Sequence, residues 1–397
     1  MVERINPQKF SFTPGKEPVT DSKGRTVYIR APEITFDSAA KFWQAKNKEI
    51  HHLIDRKNFQ IVVLTPYQGD VAGEFYKTQK HGYFGISPVA TTIEQAFPDG
   101  ETQTIIDKEN LEAQSIYIVS SILTEKDLER VKRVADHFVN TLGAQFITLV
   151  CPFFGYTRED KNINKDGCYV PSTTNIRAAI GGLKAFVDRM IVIEPHSSAT
   201  QACAAMFGIP LAPISPWKLI MDELKKRVEI IPEKFVVVQP DKGRNLAATR
   251  IGQYLQIPSV SFDKIRLSGQ AVTVYELSEG EKSIVKGKHC LIYDDEASTM
   301  GTVYTLAEAL SGYGAKSLAV CLVHCKFTPG WETKIKHPLF SIILGTNSRQ
   351  PIGNINIAKN IKIISLEPLL RQLIGADIEG VNYWQDELFR PMILQEK

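Results

Sequence analysis

No apolar run in these 397 residues reaches the roughly 18 that a membrane span needs. The opening Met1-Val2-Glu3-Arg4 carries no secretory pattern. Cysteine is scarce. The six thiols, Cys151, Cys168, Cys203, Cys290, Cys321 and Cys325, are scattered, which excludes a disulfide-stapled scaffold. They read as reduced, buried side chains, and the expected location is cytoplasmic. Nor is there a strong excess of one charge. A net charge of +3 gives no reason to expect nucleic acid or a membrane as partner, although local basic clusters facing phosphates stay open. Metal ligands are thin as well. Cys321-Leu322-Val323-His324-Cys325 lies in a strand-like run, where alternation sets both thiols on one face and the imidazole on the other. No second ligand pair stands nearby, so structural zinc is not expected.

What the chain does have is apolar strands alternating with amphipathic helices. Strands are expected at 60–64, 115–119, 145–150, 189–193, 235–239, 289–293, 317–323, 340–344 and 361–364. Helices are expected between them, among others at 125–142, 175–182, 246–254 and 302–311. Such alternation gives an α/β fold, each domain a mainly parallel sheet flanked by helices. Single cores rarely grow beyond roughly 250–300 residues, so two tandem domains are expected, 58–213 and 214–397. Residues 1–57 begin polar, with Pro and Gly punctuation, and read as an N-terminal appendage. The halves also repeat: 135–153 matches 306–327 in order and spacing, and 210–224 resembles 361–374.

Parallel sheets bind ligands beyond the C-terminal ends of their strands, and the polar constellations fall at such ends. After 289–293 come Asp294 and Asp295, then Ser298-Thr299-Met300-Gly301-Thr302 running into a helix. Backbone N–H groups and the helix dipole make such a loop a phosphate cradle. The paired aspartates suit vicinal ribose hydroxyls with Mg²⁺ nearby. The plain alternative is a strand-to-helix turn with a capping hydroxyl. After 235–239, Asp241-Lys242-Gly243-Arg244 suits a diphosphate–metal site or is a charged surface turn. His196, beside Glu194 at another strand end, is a candidate metal or phosphate ligand. Phe153 and Phe154, ahead of the charged run Arg158-Glu159-Asp160-Lys161, could stack a base, with a solvated loop as the other reading. Phe97, Asp99 and Glu101 form a turn with two carboxylates. Lys264 and Arg266 share a strand face before a weakly alternating segment, 272–277. They could close over a transferring phosphoryl group or form a solvated basic edge.

In this order the motifs resemble those of the ribose-phosphate diphosphokinases (phosphoribosyl pyrophosphate synthetases), from about residue 59 to residue 374. Phe97, Asp99 and Glu101 match that family's ATP-binding turn. Residues 152–161 match its ATP-phosphate loop, giving Arg158 and Glu159 ATP-binding roles. His196 matches the histidine that helps hold metal and ATP, and Asp241, Lys242, Gly243 and Arg244 match the diphosphate loop, with Asp241 a metal ligand. Lys264 and Arg266 match the catalytic pair of the flexible loop. Asp294 and Asp295 match the ribose-binding pair, and Ser298, Thr299, Met300, Gly301 and Thr302 the 5-phosphate loop. Departures surround the acceptor and diphosphate subsites. Glu194-Pro195 stands where Asp-Leu is usual, Arg244 replaces a glycine, Ser298 replaces a common acidic residue, Met300 a small one, and Glu159 a frequent Gln.

The resemblance implies two type I phosphoribosyltransferase-like domains, an ATP side and a ribose-phosphate side, and a homo-oligomer whose subunits share the ATP pocket. It implies a Mg²⁺-dependent transfer of the ATP β,γ-diphosphoryl group to the anomeric hydroxyl of ribose 5-phosphate. The same transfer to a larger acceptor such as ADP-ribose is one rival reading. A phosphoribosyltransferase, which needs no ATP turn, is another, and a non-catalytic regulatory subunit is the third.

Overall fold

The computed structural model describes residues 15–20, 26–31, 54, 58–64, 71–79, 89–107, 113–157, 175–197, 199–240, 245–266, 273–355, 358–383, 386, 388–389 and 392–393, some by backbone alone. Near the N-terminus, Gly15–Thr20 (β1) and Thr26–Ala31 (β2) pair as an antiparallel hairpin. Beyond it the chain divides into two compact units. The first comprises Met1–Pro66, Ala72–Ile214 and Arg371–Glu396, and the second is essentially Ser215–Leu370. The first unit is therefore discontinuous, with its last segment supplied from the far end of the chain, whereas a division at residue 214 is a single cut.

The first unit holds a seven-stranded sheet. Its strands are Phe59–Val63 (β3), Ala90–Ala96 (β4), Thr102–Ile106 (β5), Ser115–Val119 (β6), Phe146–Cys151 (β7), Arg189–Ile193 (β8) and Leu211–Ile214 (β9), in the order β5-β4-β3-β6-β7-β8-β9. All neighbours are parallel except β4 and β5, an antiparallel hairpin. Every residue of β3, β6, β7, β8 and β9 is buried, as continuous Val/Ile runs covered on both faces must be. Helix Glu125–Asp136 starts at a capping box, with Asp127 Oδ2 accepting from the Thr124 N–H at 2.9 Å. Its last turn opens into a π turn, His137–Thr141, before β7.

The second unit's sheet is parallel throughout: Ser259–Ser261 (β11), Phe235–Gln239 (β10), His289–Ala297 (β14), Ser317–Cys325 (β15), Phe340–Thr346 (β16) and Ile361–Ile364 (β17), in that spatial order. Asp263–Arg266 (β12) and Thr273–Glu276 (β13) form a separate antiparallel hairpin. The internal repeat is present in the topology. The run β3-β6-β7-β8-β9 corresponds to β10-β14-β15-β16-β17, and the edge strands β9 and β17 are each followed by a helix, Trp217–Lys225 and Glu367–Ile378.

Two expectations need correction. Phe153 and Phe154 are buried, and Phe154 belongs to the first unit's core, so neither ring is a surface for stacking a base. The chain is pinned there because the Ile122 N–H donates to the Phe153 carbonyl and the Ile122 carbonyl accepts from the Gly155 N–H, both at 2.8 Å; a side chain at Gly155 would stand 2.9 Å from the Ile122 carbonyl oxygen. The alternation in β15 also slips. Cys325 packs in the same apolar cluster as Leu318, Val320 and Leu322, the face opposite to the one that strict alternation from Cys321 would give it. The His324 Nδ1 is bonded to the Ser348 hydroxyl at 2.8 Å, in a buried setting. All five described cysteines are free and buried; Cys168 lies outside the described residues. Among the described residues no helix is long and apolar enough to cross a membrane.

Candidate active site

In the second unit the strand does not stop at Tyr293. It pairs on with β15 through Asp294 opposite Leu322, Glu296 opposite His324 and Ala297 opposite Cys325, so the carboxylates sit in the last part of a central strand. That ladder fixes them on rigid backbone rather than in a loop. Asp294 is half-buried and its Oδ1 accepts from the Asp295 N–H at 3.0 Å. Asp295 is buried at 4% exposure. Glu296, the third carboxylate in a row, is buried and faces the half-buried Lys326 at 2.6 Å in an ion pair, so its charge is matched within the fold. Two adjacent carboxylates at the end of a parallel strand are the hard oxygen donors that Mg²⁺ takes. The residues present fit that ion.

The following loop is short and well fixed. The Ala297 carbonyl accepts from the Lys326 N–H at 2.9 Å, Ser298 accepts from Thr328 N–H at 3.0 Å, and the Ser298 and Thr328 hydroxyls meet at 2.8 Å. Met300 has φ 59° and is 2% exposed; its side chain is a core residue, so at the loop it offers backbone only. This left-handed residue is the N-cap of helix Gly301–Gly312 and makes no side-chain cap bond; the first N–H groups of a helix lack intrahelical partners, and the dipole there favours an anion. Thr299 and Thr302 are exposed beside it. Lys334, from the short helix Trp331–Lys334, donates to the Thr299 carbonyl at 2.9 Å. Sequence reading missed this lysine, which lies 35 residues from Thr299 and in no motif.

Lys264 and Arg266 occupy alternate positions of β12, opposite Tyr275 and Thr273 of β13. The weakly alternating segment 272–277 is thus the second strand of a hairpin that carries both cations. Asp241, Lys242, Gly243 and Arg244 lie outside the described residues.

In the first unit, Phe97, Asp99 and Glu101 form the turn between β4 and β5. Phe97 N–H bonds the Glu101 carbonyl at 2.8 Å, Glu101 N–H bonds Asp99 Oδ1 at 3.0 Å, and Gly100 takes φ 93°. Phe97 is 41% exposed, with both carboxylates open to solvent. His196 follows β8, after Glu194, which has φ 40° and donates its N–H to the Ile214 carbonyl. In the sheet β4 and β8 are four positions apart, about 19 Å at ordinary strand spacing. The unit therefore does not gather the turn and His196 into one cluster at their strand ends. Arg158 and Glu159 lie outside the described residues.

Comparison with known proteins gives a consistent answer. Residues 79–176 match the family model for the N-terminal domain of ribose phosphate pyrophosphokinase. The chain is similar to ribose-phosphate pyrophosphokinase 1 of Streptococcus mutans, 30% identical over 247 residues, covering 60% of this chain and 71% of that one. It is 27% identical over 281 residues to the ribose-phosphate pyrophosphokinase of Thermotoga maritima, covering 70% and 84%. Its fold is similar to the crystal structure of phosphoribosylpyrophosphate synthetase from Mycobacterium smegmatis, with a TM-score of 0.65 at 21% identity over 81% of this chain and 99% of that one.

Proposed function

The chain belongs to the ribose-phosphate pyrophosphokinases, a family of ATP-dependent diphosphotransferases, and on that premise we propose that it transfers the β,γ-diphosphoryl group of ATP to the anomeric hydroxyl of ribose 5-phosphate, releasing AMP. The observation that carries this reading is the end of β14: two carboxylates on a central parallel strand, followed at once by a hydroxylated loop at a helix N-terminus. The spacing suits one ligand with vicinal hydroxyls at one end and a phosphate at the other.

The chemistry asks for positioning and charge neutralisation, with no covalent enzyme intermediate. The anomeric oxygen attacks the β-phosphorus in line, the bond from that phosphorus to the α-phosphate oxygen breaks, and AMP leaves with that oxygen. The N–H groups and hydroxyls of Ser298, Thr299, Met300, Gly301 and Thr302 hold the 5-phosphate. Asp294 and Asp295 orient the ribose hydroxyls. Lys264 and Arg266, carried on the hairpin, close over the diphosphoryl group and stabilise charge that develops on its oxygens. Phe97, Asp99, Glu101, Arg158, Glu159 and His196 take the ATP. Asp241, Lys242, Gly243 and Arg244 line the diphosphate, with Asp241 and His196 as metal ligands. When bound, Mg²⁺ neutralises phosphate charge and fixes the diphosphate geometry.

A homo-oligomer fits the first unit's surface. The hairpin that bears the ATP turn exposes Ile93 at 56%, Phe97 at 41% and Ile105 at 40%, an apolar rim expected to be covered by a second copy. The distance between that turn and the His196 strand end supports an ATP pocket completed across subunits. On this reading the sequence divides into an N-terminal appendage 1–57, an ATP-side domain 58–213 and a ribose-phosphate domain 214–397 whose closing segment Arg371–Glu396 packs with the first unit, in a cytoplasmic enzyme of nucleotide biosynthesis.

The altered loop motivates a second reading, transfer to ADP-ribose. Ser298, bonded to the Thr328 hydroxyl, leaves the loop without the acidic residue common at this position, so the phosphate environment departs from the family pattern. The test is AMP release by purified protein with ATP and Mg²⁺, offering ribose 5-phosphate and ADP-ribose in parallel. AMP with ribose 5-phosphate is the expected result. AMP with ADP-ribose alone replaces the acceptor, and no AMP with either points to a regulatory subunit.

A further inference from the structure

We infer that Lys334 is a specificity-determining residue of the acceptor loop, a fixed cation that selects a sugar ending in a dianionic phosphate monoester. The inference rests on the reading of that loop given above. Lys334 Nζ lies 2.9 Å from the Thr299 carbonyl and 3.7 Å from where a Cβ on Gly301 would stand. Thr299 Oγ1 lies 3.4 Å from the same point. An ammonium and a hydroxyl therefore border the space left over the first residue of the helix, the place where its free N–H groups begin.

The ammonium has three donors and spends one on the carbonyl. Among the described residues no carboxylate forms an ion pair with it. Its backbone is held firmly. Trp331 of the same short helix is fully buried and stacks on Phe327 with ring centroids 4.9 Å apart. A side chain on Gly353 would come within 2.2 Å of the Trp331 indole nitrogen, so the anchor is tightly walled. A four-residue helix with a buried tryptophan at its start thus delivers a lysine to the phosphate loop at its end.

A lysine contributes as a point charge, unlike backbone N–H groups, which any phosphate oxygen can satisfy. Its attraction grows with the ligand's charge. A terminal 5-phosphate carries nearly two negative charges at neutral pH, with a second pKa near about 6. The ribose-linked phosphate of ADP-ribose is an ester to its ribose and an anhydride to the second phosphate, and carries one. Lys334 therefore discriminates for ribose 5-phosphate and against ADP-ribose.

The experiment compares wild type, Lys334→Gln and Lys334→Arg by AMP release with each acceptor, and by calorimetric binding of ribose 5-phosphate alone. In K334Q the KM and Kd for ribose 5-phosphate rise about tenfold or more, with a smaller change in kcat, and the preference over ADP-ribose narrows; K334R restores most of it. Thermal melting confirms that the variants are folded. A KM and Kd within about twofold of wild type in K334Q, with preference unchanged, overturns the inference. If wild type binds ribose 5-phosphate without releasing AMP, the catalytic reading fails, yet weaker binding by K334Q still supports Lys334. If wild type does not bind it, both fail.

Discussion

Arg189 and Asp377, 188 residues apart, meet in a two-point ion pair whose side chains are at most 1% exposed. Tyr117 Oη donates to the same carboxylate at 2.6 Å, and the guanidinium also donates to the Thr148 hydroxyl at 2.9 Å. Burial and the neighbouring carboxylate push the Tyr117 phenol well above its ordinary range, while Asp377 holds the guanidinium charged against its desolvation. One carboxylate from the last helix thus ties together β6, β7 and β8. Truncating either partner leaves a buried unpaired charge. Arg189→Met or Asp377→Leu should cost about 3–5 kcal/mol in urea unfolding, and the double variant R189M/D377L should recover much of it. Additive losses would show that the pair is not coupled.

Gly345 in β16 faces Cys325 in β15 so closely that a Cβ would stand 2.1 Å from Cys325 Sγ and 3.0 Å from Ile363 Cδ1. Gly345→Ala should destabilise the second unit by about 1–3 kcal/mol through overpacking. Adding Cys325→Ala should relieve most of the loss, read as a rise in melting temperature. Equal melting of the single and double variants would contradict the contact.

Burial pushes the Cys290 and Cys325 thiols up to about 12, and Cys151 and Cys321 higher still. In the unfolded chain these thiols ionise near about 8.5. Above that pH the unfolded state releases protons that the folded state keeps, so stability is complete below about pH 8.5 and falls as pH rises toward 12. Each thiol adds at most about 1.4 kcal/mol per pH unit to the slope. Urea midpoints measured from about pH 7.5 to pH 10.5 should fall, and more gently in Cys290→Ala. An unchanged slope in that variant would rule out Cys290 as a contributor.

Lys264→Ala should lower kcat by about a hundredfold or more, with little change in the melting temperature, because the hairpin stands apart from both sheets. Near-normal turnover would remove Lys264 from the catalytic pair.

Ile93→Asp places a charge on the exposed rim of the β4–β5 hairpin, away from the core. Sedimentation velocity should show a smaller species, with AMP release falling alongside it. A variant that keeps both its size and its activity would take the apolar rim out of the oligomer contact.

Much of the architecture was legible because parallel strands covered on both faces leave uninterrupted apolar runs, as at 115–119 and 189–193. The hairpin β4–β5 leaves none: Thr91 to Gln95 alternates weakly and is half exposed, so only its turn stands out. The end of β14 is hidden for a related reason. Aspartate is a poor strand former, and the ladder to β15, rather than local preference, extends the strand through Asp294 and Asp295. Motif order was readable for the acceptor loop, since its residues are contiguous. Lys334 was not, because its place beside Thr299 depends on where β15 ends and how Trp331 packs. Phe153 and Phe154 misled for the opposite reason: an aromatic pair at a strand end looks available until the core around it is known.

The first unit's discontinuity has a consequence for biosynthesis. Arg189 emerges from the ribosome long before Asp377 exists, so during most of translation the first sheet lacks the carboxylate that neutralises its buried guanidinium. The whole second unit must be synthesised before the first can close. Unlike a chain of tandem domains that mature one after another, this one delays completion of its earlier half until the last helix arrives. A nascent chain arrested within the second unit is therefore incomplete in both halves, a natural target for chaperones and proteases.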